Sequence, residues 1–267
     1  MIRLTYICKI LLIINVVVFL AAQLPMLHQL QPLMLYSFGS AKFLPFQVVT
    51  YAFMHGSIMH ILFNMLGLVM IGGMLERLWG PKRFLIYYMT CAVLSALFYM
   101  GYNYYNYHQV EVALNAFNAS PSYDGLNKLV DSIGSKFLNM LTMDDGTNLS
   151  GMIDKFRGEF IDGNYESANQ VSKVITEVMT FQKDTPMVGA SGAIYGLMIA
   201  IGAMMPDTEF FIMPIPIPIK AKYLIPAALI GEYFFSTNAQ PGDNVAHVAH
   251  IGGAICGAIV LLFWYRK

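Results

Sequence analysis

The residues best suited to chemistry in this sequence are a serine, two histidines and an asparagine that stand in apolar stretches. Ser191 lies in the run Gly189-Ala190-Ser191-Gly192, where a polar segment turns into an apolar helix. The small neighbours leave its hydroxyl and the nearby backbone N–H groups open to a carbonyl carbon, as a serine nucleophile requires. Gly192 and Gly196, four apart, would equally suit close packing between membrane helices, with Ser191 bonded to the backbone. Taken alone, this run favours the packing interpretation.

Two further pairs of polar side chains recur at helical spacing. His60 and Asn64 are four apart and share a helix face, and His247 and His250 are three apart at the start of the last apolar stretch. Polar side chains inside a membrane are costly, and by default they mark function or pairing between helices. Several of them together favour a site.

The composition indicates a membrane protein. The chain has 267 residues, of which 57% are hydrophobic and 12% are charged, with no formal net charge. The absence of net positive charge argues against a nucleic-acid partner. The three cysteines are far apart and lack metal-ligand spacing, so we interpret them as buried small hydrophobic residues.

The apolar stretches predict an all-α membrane protein with six transmembrane helices. Stretches long enough to cross a bilayer are residues 10–27, 50–75, 84–101, 187–205 and 245–265. A weaker sixth candidate, 223–235, contains Glu232 and is accepted because the basic residues then fall on one side of the membrane. Both termini would be cytoplasmic, and we expect the first stretch to be a retained span rather than a cleaved signal peptide.

A long polar insertion divides the chain into three parts. Residues 1–102 hold helices 1–3 and the first loop, 103–185 form the insertion, and 186–267 hold helices 4–6. By parity the insertion is extracytoplasmic, and its apolar periodicity predicts about two to four amphipathic helices that form a small cap. The apolar positions are Leu126, Leu129, Val130, Ile133, Phe137, Leu138 and Leu141, and then Val171, Val174, Ile175, Val178 and Phe181. The sequence leaves open whether the insertion gates substrate entry, binds a partner or is merely tolerated.

Six crossings would bring four of the polar side chains to one level. The second, fourth and sixth spans would all run from the outer to the inner side, with His60, Asn64, Ser191 and His250 at about 5–15 Å below the outer surface. The set suits acyl transfer, because an imidazole such as His250 could accept the proton of Ser191 and return it to the leaving amine. His60, Asn64 and the backbone N–H of Ser191 could donate hydrogen bonds to the oxyanion.

No acid is placed as an obvious third member of this site. Asp243 stands in a loop, and Glu232 lies near the end of span five, so we expect a Ser–His dyad. His55 and His247 are expected near the rim, in solvated or helix-pairing roles. The sequence does not decide whether His55, His247 or Asp243 assists.

These motifs, in this order, resemble the rhomboid family of intramembrane serine proteases. Residues 60–64 (His-Ile-Leu-Phe-Asn) are similar to the family's His-x-x-x-Asn, and 189–192 to its Gly-x-Ser-Gly. Residues 249–257, an Ala-His followed by glycines four apart, resemble the motif of its last helix. Residues 76–80 (Glu-Arg-x-x-Gly) resemble a structural turn of the family.

The resemblance implies a role for each matching residue. Ser191 would be the nucleophile, His250 the general base, and His60 and Asn64 oxyanion donors, while Tyr195 would pack against the catalytic histidine. The supporting glycines would be Gly189, Gly192, Gly253 and Gly257. The chain would be a rhomboid-like six-helix bundle that cuts other membrane proteins within or near their transmembrane segments, without a metal or cofactor.

The resemblance also implies partners and a place in the cell. The partners would be transmembrane protein substrates and the lipid bilayer, in the plasma (inner) membrane, with the active site opening to the outer side. Residues 46–47 (Phe-Gln) depart from the Trp-Arg pair of many members, which leaves the anchoring of the first loop open.

Two other functions remain as alternatives. A catalytically inactive relative that binds membrane proteins would be expected to lack Ser191 or His250, and both are present. A proton-coupled transporter would need acids near the membrane histidines, and the sequence places none there by spacing.

Overall fold

The computed structural model describes residues 4–24, 30–134, 148–211, 217–237 and 247–265, and these parts of the chain are mostly helical. The helices and strands are α1 (Tyr6–Ala22), α2 (Gln47–Thr50), α3 (Ile58–Gly67), α4 (Gly73–Trp79), α5 (Pro81–Ala119), α6 (Tyr123–Ile133), α7 (Leu149–Ile161), α8 (Ala168–Lys183), α9 (Ser191–Met204), β1 (Glu209–Phe210), β2 (Ile219–Lys220), α10 (Ala221–Thr237) and α11 (His247–Tyr265). Strands β1 and β2 pair antiparallel.

Three helices among the described residues are long and apolar enough to cross a membrane. The first runs through α3 and α4 as Ile58–Trp79, joined by a π-helical turn at Leu68–Gly72, and the others are α5 and α11. The shorter helices α1 and α9 are also apolar. The expected mostly helical membrane fold is therefore confirmed, and the count of six spans stays a prediction.

Glycines bring α9 and α11 into direct backbone contact. A Cβ on Gly253 would lie 2.1 Å from the backbone oxygen of Gly192, and one on Gly257 would lie 2.7 Å from the Cα of Gly196. Small residues on both helices allow this approach, as is common between membrane helices. The two helices that begin with Ser191 and His247 are thus held together by glycine contacts, and the packing interpretation of Gly192 and Gly196 is confirmed.

Two hydroxyl groups of α5 fasten the same pair of helices. The Tyr87 hydroxyl lies 2.9 Å from the carbonyl oxygen of Gly196 and 3.0 Å from that of Gly257, to which it donates. The Ser95 hydroxyl donates to the carbonyl oxygen of Ala249 at 2.7 Å. Buried side-chain hydrogen bonds of this kind fix the register of α9 and α11 against α5.

Helices α3–α4 and α11 run in the same direction. The ring of Trp79, the last residue of α4, lies 5.9 Å from the ring of Trp264 near the end of α11. The guanidinium of Arg83 lies 4.9 Å from the Trp264 ring centroid. The N-terminal ends of these helices, which carry His60 and His250, therefore lie together at the other end of the bundle.

The glutamate of the family-like turn caps the first helix. Glu76 is buried, and its carboxylate accepts hydrogen bonds from the backbone N–H groups of Ile7 at 2.8 Å and Cys8 at 2.9 Å. It also accepts the hydroxyl proton of Thr5. A carboxylate at a helix N-terminus satisfies free donors and interacts favourably with the helix dipole, so Glu76 ties α1 to the end of α4.

The insertion begins as a continuation of a membrane helix. Asn103, where the insertion is expected to begin, lies inside α5, which extends without a break to Ala119. The end of α5 packs with α6, α7 and α8 around a second hydrophobic core, separate from that of the membrane helices. The buried residues of this core are Val110, Leu114, Phe117, Leu126, Leu129, Val130, Leu149, Ile153, Phe156, Phe160, Val171, Val174, Ile175, Val178 and Met179. Of the apolar positions used above, Phe137, Leu138 and Leu141 lie outside the described residues.

Gln47 anchors the first loop. Its side chain is fully buried, and its Nε2 donates to the carbonyl oxygens of Pro32 at 3.0 Å and Lys42 at 2.9 Å. Its Oε1 accepts the backbone N–H of Tyr36 at 3.3 Å. An amide that bridges three backbone groups therefore holds the loop where many rhomboid members carry a Trp-Arg pair.

We predict that Gln47→Ala lowers the free energy of unfolding by about 1–3 kcal/mol, because buried backbone groups lose their hydrogen-bond partner. Thermal unfolding in detergent measures the change. Gln109→Ala, at an exposed position of α5, is the matched control and is expected to have no effect. Equal stability of the two variants would show that the loop does not depend on this amide.

Candidate active site

Ser191 and His250 are in direct contact. The Ser191 Oγ lies 2.7 Å from the Nε2 of His250. Ser191 is the first residue of α9, and His250 lies in the first turn of α11, so the glycine contact between these helices brings the two residues together. His250 is buried, whereas Ser191 is half-buried. A nucleophile within hydrogen-bond reach of a base is the arrangement that acyl transfer by serine requires.

Tyr195 holds the plane of the histidine ring. It lies one turn after Ser191 on α9, and its ring stacks on that of His250 with centroids 4.6 Å apart and an angle of 10° between the planes. Stacking restricts rotation of the imidazole. The predicted packing of this tyrosine against the histidine is thus seen in the structure.

Gly189 makes room for His60 beside the serine. Its backbone has a φ of +119°, which residues with a side chain rarely adopt. A Cβ at this position would lie 2.5 Å from the Nε2 of His60 and 3.7 Å from the Oγ of Ser191. The imidazole of His60 and the serine hydroxyl therefore border the same small space, and only glycine fits between them.

The start of α9 supplies backbone donors to this space. The first N–H groups of a helix, here those of Ser191, Gly192 and Ala193, have no acceptor within their own helix. The residue before α9 is Ala190, which has no side-chain cap to accept them. Free N–H groups at the positive end of a helix dipole stabilise negative charge, as an oxyanion would need.

Asn64 lies one turn further into α3. Its side chain is buried, and its Nδ2 donates to the backbone oxygen of His60 at 3.0 Å. The structure thus brings His60 to the serine, whereas the amide of Asn64 is bonded within its own helix. The amide nitrogen has two N–H donors, and this bond uses one of them.

We predict that Asn64→Ala lowers kcat for a single-span substrate about 10-fold to 100-fold, because one of several oxyanion donors is removed. Cleavage assays in detergent measure this loss. Asn106→Ala, in the extension of α5 away from the site, is the control. An Asn64 variant as inactive as Ser191→Ala would point to a structural role for the amide instead.

The first loop positions the segment that leads to Ser191. Leu35 and Met187 exchange two backbone hydrogen bonds of 3.0 and 2.8 Å, and the backbone N–H of Gly189 donates to the oxygen of Tyr51 at 2.9 Å. At the end of the insertion, the carboxylate of Asp184 accepts from the hydroxyl of Ser40 at 2.7 Å and pairs with Lys42 at 3.0 Å. The Ser40 hydroxyl and the Lys42 ammonium lower the pKa of Asp184. The long insertion is therefore fixed at its end before it reaches the serine.

Glu232 of α10 is the residue of this site that sequence reasoning missed. Its Oε2 lies 2.9 Å from the Nδ1 of His250 and 2.6 Å from the Nδ1 of His247. Its Oε1 accepts a hydrogen bond from the Tyr195 hydroxyl. The expectation that no acid lies beside the membrane histidines is therefore wrong. The available signal was a single carboxylate in an apolar stretch, which by default marks a functional position.

The other two histidines are more enclosed than expected. The side chain of His247 is 11% exposed and contacts Glu232 rather than solvent at the rim. His55 is 6% exposed, with its ring centroid 5.1 Å from that of His60. The expected helix-pairing role fits His247, because its contact with Glu232 joins α11 to α10. A solvated position fits neither histidine, since both side chains are largely enclosed. Asp243 lies outside the described residues.

Among the described residues, one group of side chains has the ligand atoms for a metal ion, and it is Glu232, His247 and His250. Ligands of a tetrahedral zinc ion at about 2.0–2.1 Å would lie about 3.3 Å from one another. The carboxylate oxygen is closer than that to both ring nitrogens, at 2.6 and 2.9 Å. These separations fit a shared proton or an ion pair better than a metal ion.

Comparison with known proteins gives a family match and two relatives. The Rhomboid domain family matches residues 43–122 and 167–267, more than half of the chain. An uncharacterized mitochondrial rhomboid protein of Schizosaccharomyces pombe is 35% identical over 89 residues, which cover 31% of this chain and 22% of the relative. Rhomboid-like protein 15 of Arabidopsis thaliana is 28% identical over 116 residues, 43% of this chain and 26% of the relative. The chain thus matches about a quarter of the length of each relative.

Proposed function

Because the chain belongs to the rhomboid family, we propose that it is an intramembrane serine endopeptidase that hydrolyses peptide bonds in or near the transmembrane segments of membrane proteins. The observation that carries the proposal is the 2.7 Å contact between the Ser191 hydroxyl and the His250 ring. The apolar helices around that contact support an integral membrane protein.

In the proposed reaction, Ser191 and His250 act as nucleophile and general base. As the Ser191 oxygen forms a bond with the scissile carbonyl carbon, its proton passes to the Nε2 of His250. The oxyanion is stabilised by His60, Asn64 and the backbone N–H groups at the start of α9. When the C–N bond breaks, His250 returns the proton to the leaving amine, and water then cleaves the acyl-serine in the same way.

The proposed orientation follows from the basic residues. Arg77, Lys82 and Arg83 lie at the junction of α4 and α5, Lys220 lies just before α10, and Lys222 lies in its first turn. All five lie at the end of the helix bundle opposite to the end that holds Ser191. Basic residues favour the cytoplasmic side of a membrane. We therefore place the active site toward the outer side of the plasma (inner) membrane, with both termini cytoplasmic, six spans and the insertion outside.

One observation favours a second candidate, a proton-coupled transporter. Glu232, His247 and His250 form the kind of intramembrane acid–histidine cluster through which protons are relayed. A proton relay does not require a serine hydroxyl within hydrogen-bond distance of the Nε2 of His250. Nor does it require a glycine that leaves open space beside that serine. Hydrolysis accounts for these features, and so we prefer the protease.

A cleavage assay tests the proposal. The protein is reconstituted in liposomes with a single-span substrate that carries small residues near the outer end of its transmembrane segment. We expect a cut at that end, located by the masses of the two products. No cleavage over a series of such substrates, or a cut confined to their soluble domains, would contradict the proposed function.

A further inference from the structure

We propose that Glu232 is the third member of the active site, a positioning residue that orients His250 and balances the positive charge that His250 acquires during the reaction. The inference rests on the proposed function, since it assigns a role to a residue that acts through the general base. It replaces the expected dyad with a Ser191–His250–Glu232 arrangement. The same carboxylate also binds His247 and Tyr195.

The geometry of His250 supports this role. One ring nitrogen, Nε2, faces the Ser191 oxygen at 2.7 Å, and the other, Nδ1, faces the Glu232 carboxylate at 2.9 Å. A carboxylate at Nδ1 favours the proton on that nitrogen and leaves Nε2 free to accept the serine proton. The Nδ1–Glu232 contact is at ion-pair distance without the alignment of a regular hydrogen bond. Such contacts often tighten only when substrate is bound.

Two further side chains hold the carboxylate in place. The Tyr195 hydroxyl donates to Oε1 of Glu232, while the ring of the same tyrosine stacks on His250. His247 contacts Oε2 at 2.6 Å. Tyr195 therefore positions both the base and its acidic partner from α9, and it links the two to the helix that begins with Ser191.

The enclosure of the cluster gives its charge a larger effect. The side chain of Glu232 is 12% exposed and that of His250 is 10% exposed. Charges interact more strongly where water is excluded. The imidazolium forms only as the serine attacks, so a carboxylate beside it stabilises the transition state more than the bound substrate. Loss of that charge should therefore lower kcat and leave KM nearly unchanged.

The alternative is that Glu232 only joins α10 to α11. If Glu232 were only a structural link, its removal would lower thermal stability and would leave the pH dependence of catalysis unchanged. Among the residues that the structure describes, the groups that face His250 are Ser191 and Tyr195 on α9, Glu232 on α10, His247 on α11 and His60 on α3. Of these, Glu232 is the only acid, so its removal takes away the negative charge beside the base and leaves the remaining groups in place.

The test compares Glu232→Gln, Glu232→Asp and the wild-type protein in detergent. We expect Glu232→Gln to lower kcat about 100-fold or more, with KM within about threefold and an unchanged unfolding temperature. The acid limb of its kcat/KM profile should move to lower pH, because protonated His250 loses its counter-charge. Glu232→Asp keeps the charge, so its kcat should be at least about tenfold higher than that of Glu232→Gln. Glu177→Gln, at an exposed position of α8, is the matched control and should behave as the wild type.

Tyr195→Phe provides a second variant in case Glu232→Gln does not fold. It keeps the ring that stacks on His250 and removes the hydroxyl that holds the Glu232 carboxylate in place, so we expect kcat to fall about 3-fold to 10-fold with KM and the unfolding temperature unchanged. The acid limb should not move to lower pH, because the charge of Glu232 remains. Full activity of Glu232→Gln would overturn the inference. A loss of kcat that is accompanied by a lower unfolding temperature, and that Glu232→Asp does not recover, would also overturn it. For Tyr195→Phe, a wild-type kcat would overturn it, and so would an acid limb moved to lower pH as in Glu232→Gln. An inactive wild-type protein would instead overturn the proposed function, and this inference with it.

Discussion

Ser191→Ala is expected to abolish cleavage of a single-span substrate, with kcat reduced about 10⁴-fold or more while the protein remains folded. The substitution removes the oxygen that lies 2.7 Å from the Nε2 of His250, and it leaves the glycines that pack α9 against α11 unchanged. His250→Ala should cost about as much. Because the two side chains would act as a unit, the double variant should be no less active than either single one.

Initial rates in detergent, at substrate concentrations that separate kcat from KM, measure this effect. His108→Ala is the control, because His108 is exposed on α5 and stacks on Tyr104, away from the site. Additive losses in the double variant would show that the serine and the histidine act independently. Such a result would remove the base–nucleophile assignment even if each single variant were impaired.

Gly253→Ala is expected to disrupt the bundle, at a cost of about 3 kcal/mol or more in the free energy of unfolding. The new methyl group would lie 2.1 Å from the backbone oxygen of Gly192 and 2.9 Å from its Cα, and backbone atoms in the middle of a packed interface cannot move aside cheaply. The two helices would have to separate, which would draw Ser191 away from His250. Both stability and cleavage should therefore fall together.

Thermal unfolding and cleavage of the same detergent preparation test this prediction. Gly101→Ala is the matched control, because a Cβ at this helical glycine of α5 would meet no atom within 4 Å. It should leave activity unchanged and raise stability slightly, since alanine is the better helix former. A Gly253→Ala protein of wild-type stability would mean that α9 and α11 are not in backbone contact.

The pairing of Ser191 with His250 could be predicted from the sequence because each residue lies in a local motif at a helix start. The direction of each span follows from the order of apolar stretches and the basic residues between them, so parity alone brings His60, Ser191 and His250 to the same side. These three residues could be identified without knowing how the helices pack against one another. The structure adds the 2.7 Å contact and the stacked ring of Tyr195.

The contact of Glu232 with His250 could not be predicted in this way. It depends on how α10 lies against α9 and α11, which no spacing along the chain reports. The lone carboxylate in an apolar stretch was a signal that something must bind it, but the partner is decided by tertiary packing. Gln47 is a similar case, because its three backbone partners come from a loop without periodicity.

Polarity predicts that the insertion begins at Asn103, and the structure has this residue inside a continuous helix. The stretch after Gly101 is rich in tyrosine and asparagine, yet α5 continues through it to Ala119. Its inward face carries Val110, Leu114 and Phe117, which are buried against the insertion's own helices. A helix can leave the membrane without ending, if a second core receives its apolar face.

The most direct test of the account is covalent labelling with a serine-directed fluorophosphonate, followed by mass mapping of the modified peptide. An activated serine forms a stable adduct with this reagent because a neighbouring base takes its proton. We predict one adduct, on Ser191, that is absent from Ser191→Ala and greatly reduced in His250→Ala. A folded wild-type protein that shows no adduct, or the same labelling with and without the Ser191 hydroxyl, would contradict the account.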